Sequence, residues 1–537
     1  MREKLETVLC ELRHLGPLEC LQAKHLCLGI ENLRSALLLL LAQLRTGSTL
    51  ASVPQLKKDF GSIPSLEGLN IENLCEELQL SALAAEIGSQ EAPEALVWWH
   101  KHHTGTYYGF QRAWGAEIQI EQALNEIWLG DSPSPLAESC ELLGDSLLAL
   151  HPHQEAAIRN AVRYRMSIVS GGPGTGKTTV IRVLVATLCK VFQIPLEAVV
   201  LCAPTGRAKA RMLESIQNIT GKTLHSLLKY RSDGRPSFHP QSPLPYSLIV
   251  VDEASMVDSA QFANLILALG PEARIVIVGD KFQLPSVETG AVLGDFTGSK
   301  DPRLVARTSF LTKNFRSERS ITEWWTNYEK NPGTSLPGDP RITKDAWQGL
   351  VQAWVKESYA MCPKIKTAKD LQDWLLLGRV LVCTNHGEFG RDGINNWCRK
   401  LRNKNTSLSA FQNGEPIIVT VNQTVEGREL YNGDLGLVSM EGRKRYGLFV
   451  IQGKLEKISL DRIQGLELAY AITIHKSQGS EFNAVYLMLP EEESRMVTRQ
   501  LIYTAVTRAK LALHICDPLS TLATGLREEE RLTWLGL

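Results

Sequence analysis

Apolar residues recur at intervals of three and four through the Leu-rich stretches around 5–45 and 71–86. The first 147 residues or so are therefore predicted to be mainly helical. The strongest apolar run, Ala36 to Ala42, is far too short to span a bilayer and reads as a buried helix. Asp131-Ser-Pro-Ser-Pro135 marks a loop, and the aromatic stretch from Val97 to Phe110, with its Thr-Gly turn, suits a β-hairpin. From residue 148 the pattern changes. Short β-branched runs at Ser167–Ser170, Val199–Ala203, Leu248–Val251 and Ile275–Val278 alternate with helical stretches, as in a parallel sheet flanked by helices. The alternation returns at Val380–Thr384, Ala484–Leu489 and Leu511–Ile515, so the fold class is α/β with two such units. Between them, from about 411 to 465, turn signals at Gln412-Asn-Gly, Glu426-Gly, Asn432-Gly and Gln452-Gly predict a small all-β insertion. The expected division is 1–147, mainly helical; 148–305, the first α/β unit; 306–410 with 466–537, the second; and 411–465, the insertion.

Composition narrows the class. Hydrophobic residues make up 44% and charged residues 22% of the 537, as in an ordinary globular protein. A fully disordered chain, a collagen-like chain and a coiled-coil rod are excluded. Lys plus Arg and Asp plus Glu number 58 each, which excludes a uniformly basic DNA-coating protein. The zero net charge hides a split. Residues 1–150 carry 10 basic and 20 acidic side chains, a net of −10, whereas 151–537 carry 48 and 38, a net of +10. Such asymmetry suggests different partners for the two parts, against a chance spread over two solvated surfaces. The eleven cysteines form no C-x-x-C pair and no zinc-finger spacing with histidine, so a zinc or iron–sulfur site has no support. His100, His102 and His103 lack a carboxylate or cysteine to complete a metal set. The N-terminus has no apolar signal core, and an odd cysteine count fits a reducing cytoplasm, with no membrane partner expected.

Gly171-Gly-Pro-Gly-Thr-Gly-Lys-Thr178 matches G-x-x-x-x-G-K-[ST] in full, after a strand and at the start of a helix. Its glycines let backbone N–H groups turn inward around phosphates, and the helix start adds a dipole favourable to anions. Gly171, Gly172, Pro173, Gly174, Thr175, Gly176, Lys177, Thr178 and Thr179 are the candidate nucleotide ligands. Lys177 reaches for the β- and γ-phosphates and Thr178 for Mg²⁺. About 75 residues on, Val250-Val-Asp-Glu-Ala-Ser255 ends an apolar strand. Asp252 there suits the second Mg²⁺ contact and Glu253 the general base for the attacking water. Together they predict a nucleotide triphosphatase.

Further motifs follow in order: Gly279-Asp-Lys-Phe-Gln-Leu-Pro-Ser-Val287, Asn314-Phe-Arg316, Ala471-Ile-Thr-Ile-His-Lys-Ser-Gln-Gly-Ser-Glu481 and Tyr503-Thr-Ala-Val-Thr-Arg-Ala-Lys510. The set resembles superfamily 1 DNA helicases and, more closely, the RecD family, the α subunit of exonuclease V, or RecBCD. Ser286-Val-Glu-Thr-Gly-Ala-Val-Leu-Gly-Asp295 and Val497-Thr-Arg499 strengthen that match. The resemblance covers roughly 148–537; the first 147 residues match only in size and position.

The resemblance implies two RecA-like domains with ATP between them. Gln154 is similar to the family's adenine-contacting glutamine, and a side-chain amide can both donate to and accept from the adenine edge. Gln283 resembles the glutamine that senses the γ-phosphate. Arg316 and Arg508 then come from the second domain, where planar guanidinium groups suit transition-state charge and make hydrolysis depend on closure. Lys476 and Gly479 lie in the loop that links the DNA and nucleotide sites. Pro204, Thr205 and Arg207 in Ala203-Pro-Thr-Gly-Arg-Ala-Lys-Ala-Arg211, Thr223 and His225 in the next motif, and His475 are the implied DNA contacts. Lys209, where the family more often has a small residue, either adds a phosphate contact or faces solvent. The insertion resembles an SH3-like domain linked to 5′-to-3′ polarity.

The implied function is a DNA-dependent ATPase and 5′-to-3′ helicase acting on single strands and duplex ends, in a heterotrimer with RecB and RecC subunits. No carboxylate–Lys constellation suggests a nuclease, which is expected in a partner. The alternatives are a stand-alone RecD-like helicase and a structural subunit with vestigial ATP binding.

Overall fold

The computed structural model describes residues 31–60, 70–81, 83–86, 95–102, 105–142, 150–216, 218–315, 319–331, 339–342, 346–402, 411–492 and 497–524, with Ala23, Ser494, Leu526, Arg531 and 533–535. The Leu-rich stretch before Glu31 lies largely outside them, as do His103 and Arg316.

Six parallel strands form the first α/β unit, in the spatial order Thr308–Leu311, Met166–Gly171, Arg274–Gly279, Leu248–Val251, Val199–Ala203, Thr220–Thr223. The four central strands are buried along their whole length. Alternate residues serve opposite faces: Ile168, Val200, Ile249 and Ile275 join one core, Val169, Leu201, Val250 and Val276 the other. Burial on both faces is why these segments read as unbroken apolar runs. The phosphate loop, the Asp252-Glu253 turn and the loop carrying Gln283 leave the carboxyl ends of these strands, where open α/β sheets place ligands.

The second unit has five parallel strands, ordered Arg341–Ile342, Ala509–Cys516, Phe482–Met488, Gly378–Val382, Ala471–Thr473. Its strands start about two residues before the apolar runs that announced them. Phe482 and Arg379 explain part of that offset, since polar or aromatic positions at a strand entrance carry no β-branched signal. Between the last two parts of this unit lies an antiparallel sheet of five strands, in the order Lys454–Ser459, Lys444–Ile451, Leu435–Glu441, Pro416–Val419, Leu466–Leu468. A two-residue hairpin turn at Glu426-Gly427, both at positive φ, joins Gln423–Val425 to Arg428–Leu430. Gln452-Gly453 does the same between Lys444–Ile451 and Lys454–Ser459, as such turns require. Ile417, Val438, Phe449 and Ile458 fill the core of this sheet.

The first part of the chain is not made of helices alone. Helices Glu31–Leu44, Val53–Phe60 and Ile71–Gln79 pack on a four-stranded sheet ordered Ala51–Ser52, Gly105–Phe110, Val97–His102, Ala84–Glu86. The predicted hairpin is its centre, pairing Val97 with Phe110. Its flanking strands are two and three residues long, too short to show a period of two. Ala36 to Leu40 and Ala42 are buried, as expected of a core helix. A further helix, Gln111–Ala123, belongs to the first α/β unit: Ala116, Ile120 and Ala123 enter that unit's core. No helix among the described residues is long and apolar enough to cross a membrane.

Candidate nucleotide site and interdomain cleft

The phosphate loop leaves strand Met166–Gly171 and ends at helix Lys177–Phe192. Gly174 and Gly176 have φ of 77° and 81°, a conformation that a side chain would strain. A Cβ on Gly176 would also lie 2.5 Å from Gln154 Nε2. Lys177 Nζ curls back to the Gly171 and Gly172 carbonyls at 2.6 and 3.1 Å. The Thr175 hydroxyl donates to Gly172 O at 2.7 Å, while Thr178 is exposed and Thr179 half-buried.

Gln154 is buried and braces this loop. Its Nε2 donates to Thr175 O at 3.1 Å, and its Oε1 accepts from His151 N at 3.0 Å. The second contact is half of a capping box at the start of helix Pro152–Arg163. Phe315, which the sequence reading passed over, donates its N–H to Gly174 O at 2.8 Å. Its ring is 53% exposed and stands edge-on to His151 with centroids 6.1 Å apart. An exposed aromatic face beside the phosphate loop is suited to stack a flat heterocycle.

Asp252 and Glu253 follow strand Leu248–Val251. Burial, then the neighbouring Glu253 charge, push the Asp252 carboxyl up to about 6, against the pull of Lys177. Glu253 has φ of 53°, a left-handed backbone that a non-glycine residue adopts at a cost and that clusters at functional sites. Its N–H donates to Asp252 Oδ1 at 2.8 Å.

The opposite wall comes from the second unit. Arg508 is 3% exposed. It donates to Thr504 O, Ser480 O and the Thr507 hydroxyl at 3.1, 3.2 and 3.4 Å. Burial lowers its pKa, while Glu253, Glu481 and Asp280 act to raise it, so the guanidinium lies in the field of the first unit's carboxylates. Gln283 is buried and donates from Nε2 to Asp280 Oδ2 at 3.2 Å. Leu284 N donates across the cleft to Thr504 Oγ1 at 2.9 Å. Gly479, at φ 70°, accepts from Arg211 of the first unit at 2.6 Å, and Arg211 also pairs with Glu481 at 3.0 Å.

Of the implied DNA contacts, Pro204, Thr205 and Arg207 lie at the start of helix Gly206–Ser215. Pro204 and Thr205 are half-buried, and Thr205 caps that helix by accepting from Ala208 N at 3.2 Å. Thr223 likewise caps Leu224–Leu228 through Ser226 N at 3.2 Å. Each hydroxyl keeps its hydrogen for another acceptor. His225 is exposed, with Nδ1 3.0 Å from Gln261 Nε2. Lys476 pairs with Glu467 at 2.7 Å, and His475 is half-buried beside it. Arg207 donates to Gly433 O of the β insertion at 2.5 Å. Lys209 neither awaits a phosphate alone nor faces solvent. It donates to the Tyr431 hydroxyl at 2.5 Å and stands 4.6 Å over that ring, an insertion contact with no local sequence signal.

Two family models match: an AAA domain over residues 154–289 and a UvrD-like helicase C-terminal domain over 468–516. The RecBCD enzyme subunit RecD of Mycolicibacterium smegmatis is 33% identical over 426 residues, 70% of this chain and 74% of that protein. The chain belongs to the RecD family. The RecD subunit of Haemophilus influenzae is 29% identical over 511 residues, 78% of each protein. The ATP-dependent RecD2 DNA helicase of Deinococcus radiodurans is 31% identical over 376 residues, covering 67% of this chain but 48% of that one. Among solved structures, a Bacteroides Pif1 helicase bound to single-stranded DNA aligns at 19% identity with a TM-score of 0.43, covering 70% of this chain and 94% of that one.

The structure of this RecD-family chain thus brings Lys177, Asp252, Glu253, Gln283 and Arg508 to one cleft, with Gln154 and Gly479 at its margins. Arg316, next to Phe315, is outside the described residues. Phe315, Asp280 and Tyr503 were not singled out from the sequence, although each lies inside a motif already quoted.

Proposed function

We propose that this RecD-family DNA helicase is the ATP-driven motor subunit of a RecBCD-type enzyme, moving 5′-to-3′ on single-stranded DNA and acting at duplex ends in the cytoplasm. One observation carries the reading: a complete phosphate loop and an Asp-Glu pair on one α/β unit face a buried arginine from the other. Arg508 is held as a fork by three acceptors. It can meet charge on a transferred phosphoryl group only when the two units close, which ties hydrolysis to motion. Lys177 has only loop carbonyls as partners in the hydrogen bonds above and is free to turn to phosphate oxygens. Gln154, braced on the loop, and Phe315 border the region an adenine would occupy.

Mg²⁺ fits the donor set. Asp252 is a carboxylate whose burial beside Glu253 raises its pKa to about 6, a strain a divalent cation relieves. The exposed Thr178 hydroxyl supplies a second hard oxygen. The cation, when bound, neutralises charge on the β- and γ-phosphates. Glu253 then orients and deprotonates the attacking water.

The α/β units correspond to RecA-like domains, the five-stranded insertion to an SH3-like domain, and the first 147 residues to a unit that docks on RecB and RecC subunits. The subunit reading is favoured over a stand-alone helicase by the extent of the likeness: two RecD subunits align over 426 and 511 residues at 33% and 29% identity, the RecD2 helicase over 376 at 31%. Single-strand-stimulated ATPase activity, with Lys177→Gln as control, tests the motor. No stimulation, or an unaffected mutant, refutes it. Co-purification with the other two subunits tests assembly, and a monomer that unwinds DNA unaided refutes the subunit reading.

A further inference from the structure

Asp280 closes the strand Arg274–Gly279 and is 1% exposed. Its carboxylate meets three donors. Oδ1 accepts from Phe282 N at 3.1 Å. Oδ2 accepts both from Gln283 Nε2 at 3.2 Å and from the Tyr503 hydroxyl at 3.1 Å. Gln283 belongs to the first α/β unit, whereas Tyr503 stands on helix Arg499–Val506 of the second. One carboxylate oxygen is therefore shared between the two sides of the cleft.

Tyr503 also touches the phosphate loop. A Cβ on Gly172 would lie 3.0 Å from its hydroxyl. Its ring packs on Phe282 and Trp325 at 6.0 and 5.7 Å, which fixes the direction of the O–H. Burial, followed by the Asp280 charge, holds the phenol protonated well above its ordinary pKa, so Tyr503 is the donor. The next residue, Thr504, accepts from Leu284 N and anchors the same helix beside Gln283.

We propose that Tyr503 is a positioning residue that reads the orientation of Gln283 through their shared acceptor, Asp280 Oδ2. When the Gln283 amide turns toward nucleotide, Oδ2 loses one of two competing donors and the remaining charge-assisted bond to Tyr503 strengthens. Helix Arg499–Val506 is drawn to the first unit, and with it Arg508, two residues beyond its end. The state of the first unit's sensor thereby sets the approach of the second unit's guanidinium. The inference rests on the ATPase reading above and assigns the contact that couples its two halves.

The test uses the full chain with Mg²⁺, a non-hydrolysable ATP analogue and a single-stranded oligonucleotide. In the wild type, analogue binding should increase amide-exchange protection across 499–506. Tyr503→Phe should keep analogue affinity within about twofold and abolish that increase. In turnover it should lower DNA-stimulated kcat about tenfold with little change in KM, as for a contact made on the way to the transition state. In a double-mutant cycle with Gln283→Ala, the double mutant should be no slower than the Gln283→Ala single within about twofold, because the two act through one oxygen. Analogue binding with unchanged exchange in 499–506, or multiplicative kcat losses, overturns this inference alone. Failure of the wild type to bind the analogue overturns the ATPase reading and this inference with it.

Discussion

Replacing Glu117 with alanine should detach Arg531 and residues 533–535 from the rest of the molecule, and its effect should depend on pH. Glu117 is fully buried on helix Gln111–Ala123. It accepts from the Thr49 hydroxyl at 2.7 Å, the Ser259 hydroxyl at 2.9 Å and Trp534 N at 2.7 Å, and also from the Leu535 backbone. These donors come from the first part of the chain, the first α/β unit and the end of the second. Nearby, Arg531 donates to the carbonyls of Ser286, Glu288 and Gly290 at 2.7, 3.0 and 2.8 Å. The Thr533 hydroxyl donates to Asp295 at 2.9 Å, and Trp534 packs on Trp114.

Two hydroxyls can turn elsewhere in the mutant, but two backbone N–H groups cannot. At about 1–3 kcal/mol per buried unsatisfied donor, Glu117→Ala costs roughly 2–6 kcal/mol of local stability. Burial raises the Glu117 pKa from 4.5 to about 7 despite its four donors. An acid raised in the folded state binds more protons folded than unfolded. Its contribution is therefore complete below about 4.5 and is lost as pH climbs through about 7. Integrating that proton balance between about pH 5 and about pH 8.5 gives a loss on the order of 2–3 kcal/mol, tens of fold in the local opening equilibrium. Asp295, pushed up to about 8 by burial and then by Glu117, adds a loss of the same sign. Amide exchange of 533–535, corrected for its intrinsic rate, should show protection falling over that range in the wild type. The mutant should be weakly protected at both ends with a flatter profile. Wild-type protection that is constant or rises with pH, or a mutant that keeps the full slope, would refute the reasoning.

Glu415→Ala should loosen the β insertion by about 3–5 kcal/mol in urea or thermal unfolding, because it leaves buried Arg399 without the carboxylate that it grips at 2.7 Å. Gly206→Ala should part the insertion from the first unit, since its Cβ would fall 2.1 Å from the Tyr431 ring; faster exchange of 428–434 would report it, and adding Tyr431→Ala should remove the clash but not restore the contact. At limiting Mg²⁺, ATPase activity should fall as pH drops through about 6, where Asp252 takes up a proton, and raising Mg²⁺ should move that limb to lower pH as cation and proton compete.

The nucleotide site was legible because its parts work locally. Gly174 and Gly176 are needed for their own φ angles, and Asp252 and Glu253 follow a strand whose burial makes it a visible apolar run. Hairpin turns at Glu426-Gly427 and Gln452-Gly453 were legible for the same reason. What escaped is non-local. Tyr503 meets Asp280 across 223 positions and Lys209 meets Tyr431 across 222, and neither partner alters the pattern around the other. The first sheet escaped because its outer strands are too short to alternate. Beside its expected place near the adenine, Gln154 braces the loop through its hydrogen bonds to His151 and Thr175, a role that only the fold exposes.

The charge split takes on a different meaning once the contacts are placed. Asp131 pairs with Arg307 and lies 4.0 Å from Arg165. Glu138 pairs with Arg163, and Glu141 with Lys190 at 2.9 Å. Glu121 accepts from the Trp534 indole at 2.6 Å. Several acids of the −10 part therefore face bases or donors of the +10 part, across a seam inside the chain. The exposed pairs, Glu138–Arg163 and Glu141–Lys190, contribute little stability each, whereas Asp131–Arg307 is largely buried. Under the proposed docking on a partner, the candidate acids are those outside the seam, such as Glu76 on the exposed face of helix Ile71–Gln79, beside Leu80, which is 89% exposed; Glu72 on the same face is taken by Lys57 at 2.7 Å. Acidity alone is thus a poor guide to the docking face. An acid tied to the motor unit reports how the chain holds itself together, and only the remainder bears on assembly.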